Sequence, residues 1–216
     1  MPDEPIVLDA HAARTCAVKT WNKHARDLRP TAPDEGLRES FAGGLRFTDQ
    51  VLADLLDRFS GHVADLRPLA EAAWAEQEHA CTEAIRHGVP VIIGGVLPID
   101  TIGHRRGRPD LLIRGADRPD GRTGYHPVVI ARRQATEKRT STKAEHTVLA
   151  SRLTHPAYSQ AITVPDRSLR TRRDGTLLQA AHFWRQLEAT GHAAADTPTA
   201  ARTSSASIVT TATPMS

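Results

Sequence analysis

The chain has little cysteine, few aromatic residues and no long apolar run. Its two cysteines, Cys16 and Cys81, cannot build a disulfide framework, a four-thiolate metal site or an iron–sulfur cluster within one chain of 216 residues. No segment approaches the run of about 18 apolar residues that crosses a bilayer, and the N-terminus lacks the basic start and apolar stretch of a signal peptide. The sequence therefore predicts a cytoplasmic protein without a membrane partner.

Several enzyme signatures are also missing. The 11 histidines are scattered and form no H-x-E or His-x-x-x-His pair in a convincing helix, which argues against a zinc enzyme. There is no G-x-S-x-G turn for serine-centred hydrolysis and no Gly-rich loop with the spacing that cradles phosphates. These absences leave carboxylate chemistry and charge as the informative features.

Charge is distributed unevenly along the chain. The formal net charge is +3, but residues 100–174 hold 16 Lys and Arg against 8 Asp and Glu, and 14 of those 16 are Arg. The planar guanidinium fork suits phosphate oxygens, so a basic block on an otherwise acidic chain indicates a surface that faces a polyanion. The alternative is an Arg-rich surface that is only solvated.

Apolar periodicity predicts helices and strands of one domain. The predicted helices cover 41–59, 68–87 and 174–193, with Gly88 and Gly191 as stop signals after the last two. The predicted strands are 89–97, 109–114 and 125–132. An Arg-rich turn joins the first two strands, and residues 134–175 are mostly irregular with at most short elements. We expect a domain over 1–192 and a disordered Ala/Thr/Ser tail over 193–216.

The order helix, three strands, helix carries a resemblance to a known family. The segments DAHAARTC, FAGGLRFTDQVL, GVPVIIGGVLP, GRPDLLIR, GYHPVVI and LLQAAHFWRQLEATG, in that order, resemble the RecB-family nuclease domain of the actinobacterial RecB-like type. The resemblance runs from about residue 8 to about residue 192. It implies an α/β fold with a restriction-endonuclease-like core, in which a helix precedes a small mixed sheet and another helix follows. It also implies metal-dependent hydrolysis of DNA with Mg²⁺ or Mn²⁺, a role in DNA repair or recombination, and a possible helicase partner.

Two acids are the candidate catalytic metal ligands. Hydrolysis of a phosphodiester needs a divalent ion held by carboxylates, and Asp110 begins a buried strand, where an unpaired carboxylate would be costly. A salt bridge to Arg108 or Arg114 is the alternative for Asp110. The second acid that the resemblance implies is Glu78, on the helix before the first strand, and its alternative is a solvated position.

The third strand departs from the family pattern. An acid and a lysine separated by one residue are expected after Tyr-x-Pro, but Val129, Ile130 and Ala131 stand there. An Arg cannot replace the lysine as a proton shuttle because it does not lose its charge. Either Glu137 or Lys138 substitutes, or the nuclease is inactive.

The last helix and the Arg block supply the remaining candidates. Gln179 is a candidate catalytic residue that hydrogen-bonds near a phosphate or base, with a solvated surface position as its alternative. Phe183 follows one turn later as a base-stacking candidate, with core packing as its alternative. The predicted nucleic-acid contacts are Arg105, Arg106, Arg108, Arg132, Arg133, Lys138 and Phe183.

Two function classes follow, and a third possibility remains beside them. The first is a metal-dependent nuclease acting on DNA, either alone or as part of a larger nuclease–helicase chain. The second is a non-catalytic domain of the same fold that binds DNA or a protein partner. The third is a truncated product with little function.

Overall fold

Four helices and ten short strands are present in the described chain, and most of the strands lie between the third and the fourth helix. The computed structural model describes residues 6–25, 32–131, 136–138, 148–165, 167–169 and 174–196. The helices are α1 (Ala17–His24), α2 (Glu35–Arg58), α3 (Trp74–Arg86) and α4 (Asp174–Thr190). The strands are β1 (Val63–Asp65), β2 (Val91–Ile93), β3 (Leu97–Asp100), β4 (Arg105–Gly107), β5 (Leu111–Arg114), β6 (Tyr125–Val128), β7 (Thr136–Lys138), β8 (Leu149–Ala150), β9 (Ile162–Thr163) and β10 (Arg167–Leu169).

A four-stranded mixed sheet forms the centre, in the order β1-β2-β5-β6. Strand β1 runs parallel to β2, whereas β2, β5 and β6 pair antiparallel, with Ile92 opposite Leu112 and Leu112 opposite Pro127. All three residues of β2 are buried, as expected for a β-branched run in the middle of a sheet. The three predicted strands are confirmed as neighbours in this sheet.

The helix ends follow local signals. Helix α2 starts earlier than predicted because Asp34 caps it, accepting a hydrogen bond from the Leu37 amide at 2.8 Å. Helix α3 starts later than predicted, at Trp74, because the chain around Pro68 forms a separate 3-10 turn. Gly88 and Gly191 have φ of +65° and +77°, a left-handed conformation that ends α3 and α4 as predicted.

The two faces of the sheet carry different helices. Side chains alternate along a strand, so Ile92 and Leu112 face one side and Val91 and Ile113 face the other. The first pair joins a core made with α3 and α4, and the second joins Leu52 and Leu55 of α2. The architecture is therefore mixed α/β, with helices on both faces of the sheet. Among the described residues, no helix has both the length and the apolarity needed to cross a bilayer.

Three segments differ from the prediction. Residues 97–107, predicted as a strand end and a turn, form the antiparallel hairpin β3–β4. Helix α1 was not predicted. The tail was predicted to begin at residue 193, but the first residues of that stretch belong to the folded domain. Ala193 forms a parallel bridge with Tyr125, and both Ala193 and Ala194 are buried. The stretch predicted to be mostly irregular contains only short elements where it is described, and residues 197–216 lie outside the described part.

Candidate nucleic-acid interface

A cleft of about 340 Å³ opens where four separate segments of the chain meet. The N-terminal segment runs beside β4, since the Leu8 amide donates to the His104 carbonyl and Leu8 accepts from the Arg106 amide. The beginning of α3 and one face of α4 close the other sides. The residues that line the cleft are Asp9, Ala10, His11, Trp74, Arg106, Gly107, Arg108, Gln179 and Phe183.

Two arginines of the cleft are held by neutral groups. The Arg106 guanidinium lies 5.6 Å from the centre of the Trp74 ring, in a cation–π contact. Arg108 donates from Nη2 to Oε1 of Gln77, a buried side chain whose Nε2 donates to the Ala72 carbonyl at 2.7 Å. Neither arginine forms an ion pair within the described ranges. Both side chains are thus oriented without an acidic partner among the residues that the structure describes.

A third arginine, which is not a lining residue itself, contacts the α4 side of the cleft. Nη1 of Arg14 donates to Oε1 of Gln179 at 2.9 Å, so the candidate Gln179 is engaged by a guanidinium rather than only solvated. Asp9 is the acid that lines the cleft, and it forms an ion pair with Lys23. The acidic charge of the cleft wall is therefore already matched by a lysine, which leaves the arginines to set a positive field.

His182 supports the cleft from α4. Its Nε2 lies 3.0 Å from the Arg106 carbonyl, and because a carbonyl only accepts, this nitrogen carries the proton. Burial lowers the pKa of His182, and the nearby Arg105 charge acts in the same direction, which keeps the ring neutral. Trp74, which lines the cleft, and His182 and Gln77, which hold its arginine-bearing segment, were not predicted from the sequence. The spacing of Trp74 and Gln77, three residues apart on α3, could have indicated that the two side chains share a face of the helix.

Phe183 borders the cleft but belongs to the core. Its side chain is 2% exposed and packs against Gly107, where an added Cβ would lie 2.6 Å from the ring. The ring has no free face for a nucleobase, so the packing alternative describes Phe183 in this structure. Trp74, which is half-buried, is the aromatic ring at the cleft wall.

The predicted Arg block is divided between different surroundings. Arg106 and Arg108 line the cleft, whereas Arg105 forms an ion pair with the Asp100 carboxylate at 2.6 Å. Lys138 is exposed on β7, in a separate two-stranded sheet with β10. Residues 132 and 133, the predicted Arg132 and Arg133 contacts, lie outside the described residues.

Asp110 lies directly before β5, the predicted middle strand, and the partner of its carboxylate was not predicted. Oδ2 accepts a hydrogen bond from the Ile130 amide at 2.6 Å. The two predicted salt-bridge partners are engaged elsewhere, Arg108 by Gln77 and Arg114 by Asp117. Burial raises the pKa of Asp110, with the hydrogen bond from Ile130 acting against that rise. No cation in the described ranges forms an ion pair with this carboxylate.

Glu78 lies on α3 next to the buried Cys81. Burial, assisted by the Glu78 charge, raises the pKa of the Cys81 thiol to about 12. Cys81 packs against Gly95, and the Asp110 carbonyl accepts from the Gly94 amide at 3.1 Å. Cys81 and the Asp110 backbone therefore both contact the short link that follows β2, whereas no contact between the Glu78 and Asp110 carboxylates is observed among the described residues.

The two acids match Mg²⁺ in ligand type. This ion takes one or two protein carboxylates and completes its shell with water and phosphate oxygens. Within the described ranges, no group of three or more His, Cys, Asp or Glu side chains is arranged to hold a metal ion. Any ion held here would depend on water and on the substrate for most of its ligands.

Comparison with known proteins identifies no relative of this chain. The chain matches no protein-family model, no curated protein and no solved structure. The resemblance to RecB-like nucleases therefore rests on the sequence segments alone and stays a prediction.

Proposed function

We propose that this domain binds nucleic acid through the cleft between α3, β4 and α4. The proposal is carried by the neutral groups that hold three arginines at the cleft. A side-chain amide orients Arg14, an indole ring orients Arg106, and a second side-chain amide orients Arg108. A guanidinium paired with an acid would have to break that pair before it met a phosphate. These three keep their full charge and several N–H donors for a phosphate backbone.

The resemblance to RecB-like nucleases favours DNA as the nucleic acid. The order α3, β2, β5, β6 and α4 agrees with the helix, sheet, helix order of that resemblance, with the hairpin β3–β4 inserted between the first two strands. The chain after α4 then returns beside β6, where Ala193 runs parallel to Tyr125. A restriction-endonuclease-like core, a role in DNA repair or recombination, and a helicase partner are parts of this proposal.

The salt dependence of DNA affinity tests the proposal. Fluorescence anisotropy with a labelled duplex should show affinity that falls with salt, by a log–log slope of roughly 0.9 for each phosphate neutralised. The double variant Arg106→Gln with Arg108→Gln should lower that slope by about two.

A matched double variant controls for loss of charge alone. Arg86→Gln with Arg185→Gln removes the same charge from two exposed arginines that pair with Glu83 and Glu188. We expect its slope to change much less than that of the cleft variant. Equal effects of the two double variants, or affinity that does not depend on salt, would refute the cleft as the binding site.

Metal-dependent hydrolysis of the bound DNA is the second candidate function. It is favoured by Asp110, a carboxylate with a raised pKa and no ion-pair partner among the described residues, which a divalent ion would stabilise. Asp110 and Glu78 would hold Mg²⁺ or Mn²⁺, which polarises a phosphoryl oxygen and lowers the pKa of bound water. The missing acid-x-Lys pair counts against full activity, since Ile130 stands in that segment and contributes its backbone amide.

A cleavage assay separates the two candidates. Labelled duplex and single-stranded DNA are incubated with Mn²⁺ and then with Mg²⁺, and products are compared for the wild type and Asp110→Asn. Cleavage that this variant abolishes supports the nuclease. Salt-dependent DNA binding without cleavage in either ion would reject the nuclease and support a non-catalytic DNA-binding domain.

A further inference from the structure

The hairpin β3–β4 presents a single apolar side chain at its tip, which we define as residues 101–104. Ile102 is 93% exposed. Asp100, whose side chain is 4% exposed, accepts from the Gly103 amide at 2.7 Å and from Arg105 Nη1 at 2.6 Å. A Cβ at Gly103 would lie 2.2 Å from Asp100 Oδ2, so the brace requires glycine there. A partly buried ion pair therefore holds the turn that carries the exposed isoleucine.

The backbone of the tip is also held in an uncommon conformation. His104 has φ of +52°, and it is the one residue other than glycine with a positive φ in the described part of the chain. Its carbonyl accepts from the Leu8 amide at 2.9 Å, which ties the tip to the N-terminal segment. Since such a conformation costs free energy, it persists only where the surroundings hold it. The tip is thus a stiff projection.

The tip directly precedes β4, the strand that carries Arg106 of the proposed DNA cleft. Ile102 is four residues before Arg106, and at about 3.3 Å per residue the two are at most about 13 Å apart. Successive nucleotides of one DNA strand rise about 3.4 Å, so this distance corresponds to roughly four base steps at most. A duplex whose phosphates contact Arg106 and Arg108, and which continues from the cleft toward the hairpin tip, would bring its bases within reach of Ile102.

We propose that Ile102 is a wedge that enters between adjacent bases of duplex DNA held in the cleft. This inference rests on the proposed function. Single exposed apolar residues are common on protein surfaces, so exposure alone would carry nothing. The inference rests instead on a braced tip that precedes a strand whose arginines have no acidic partner among the described residues, since such guanidiniums attract a polyanion rather than an apolar protein partner. Insertion of an apolar side chain costs base stacking at the step it enters, and contacts with the deformed duplex offset that cost.

Fluorescence of 2-aminopurine tests the wedge, because this base brightens when it loses its stacking neighbours. A set of short duplexes carries the base at each position in turn, and saturating protein is added at low salt. We expect fluorescence to rise by about twofold or more at one or more positions. Ile102→Ser should lose most of that rise and Ile102→Leu should keep it. Ile162→Ser, which removes an isoleucine that is 67% exposed on β9, should behave as the wild type.

Anisotropy on the same duplexes distinguishes failure of the wedge from failure of the cleft. Ile102→Ser should keep the wild-type salt slope, because it leaves Arg106 and Arg108 in place. Salt-dependent binding without a fluorescence rise, or a rise that Ile102→Ser retains, overturns the wedge and leaves the cleft standing. Absence of duplex binding overturns both proposals.

Discussion

Replacing Asp110 with asparagine removes a buried charge and keeps the acceptor that the Ile130 amide needs. Because burial raises the pKa of Asp110 above its usual 3.8, the folded state favours the protonated acid. The cost of the ionised form therefore grows as pH rises from the unfolded-state pKa through the folded-state pKa, and it stays at full size above that. We expect Asp110→Asn to be more stable than the wild type at pH 8 in chelator, and the difference to shrink as pH falls toward 4.

Alanine at the same position separates the charge from the hydrogen bond. Asp110→Ala also removes the charge, but it leaves the half-buried Ile130 amide without its acceptor, which costs about 1–3 kcal/mol relative to Asp110→Asn. For a domain of this size, each kcal/mol shifts Tm by about 2–4 °C. Thermal unfolding by circular dichroism resolves that difference. Asp57→Asn, at an exposed position on α2, is the matched control and should change Tm little.

If Asp110 is a metal ligand, divalent ions should make the wild type more stable than Asp110→Asn, which reverses the order of stability expected in chelator. An ion at 100 times its Kd stabilises the folded state by about 2.7 kcal/mol, and this gain should appear in the wild type and be lost in Asp110→Asn. Equal stabilisation of both proteins by Mn²⁺ would exclude Asp110 as a ligand. A lower Tm for Asp110→Asn in chelator at pH 8 would refute the argument that the buried carboxylate is destabilising.

Three other perturbations test the fold. Ellman's reagent should modify only the exposed Cys16 in the native protein and both thiols in denaturant, since Cys81 is buried and its pKa is raised to about 12. Tyr125→Phe should cost about 1–2 kcal/mol in urea unfolding, because the buried hydroxyl donates to a carbonyl 2.8 Å away. Burial lowers the pKa of His126 even though Asp196 opposes that shift, so its contribution to stability is full above pH 6.5 and is lost as pH falls through the folded-state pKa. His126→Gln should therefore flatten the loss of stability between pH 7 and pH 5, and an unchanged slope would contradict this assignment.

Local sequence patterns predicted the central elements because their causes are local. The β-branched run around Ile92 and the alternation that follows Asp110 are features of a few neighbouring residues, and both became strands of the central sheet. Gly88 and Gly191 ended helices because only a residue without Cβ adopts the left-handed conformation at little cost. The hairpin β3–β4 was not predicted, since a specific side-chain ion pair of Asp100 with Arg105 holds its turn, and such a pair leaves no apolar periodicity in the sequence.

Composition and motif order were enough to indicate a mixed α/β domain, a basic block and Asp110 at the start of a strand. The partners of the site were decided by tertiary structure. Arg14 meets Gln179 across 165 positions, and Arg108 meets Gln77 across 31. One step along a helix rotates a side chain by about 100°, so the role of Gln77, which the sequence did not predict, depends on the face that α3 packs against its neighbours. Residue spacing encodes which side chains share a face, but which distant groups satisfy them depends on how the helices and the sheet come together.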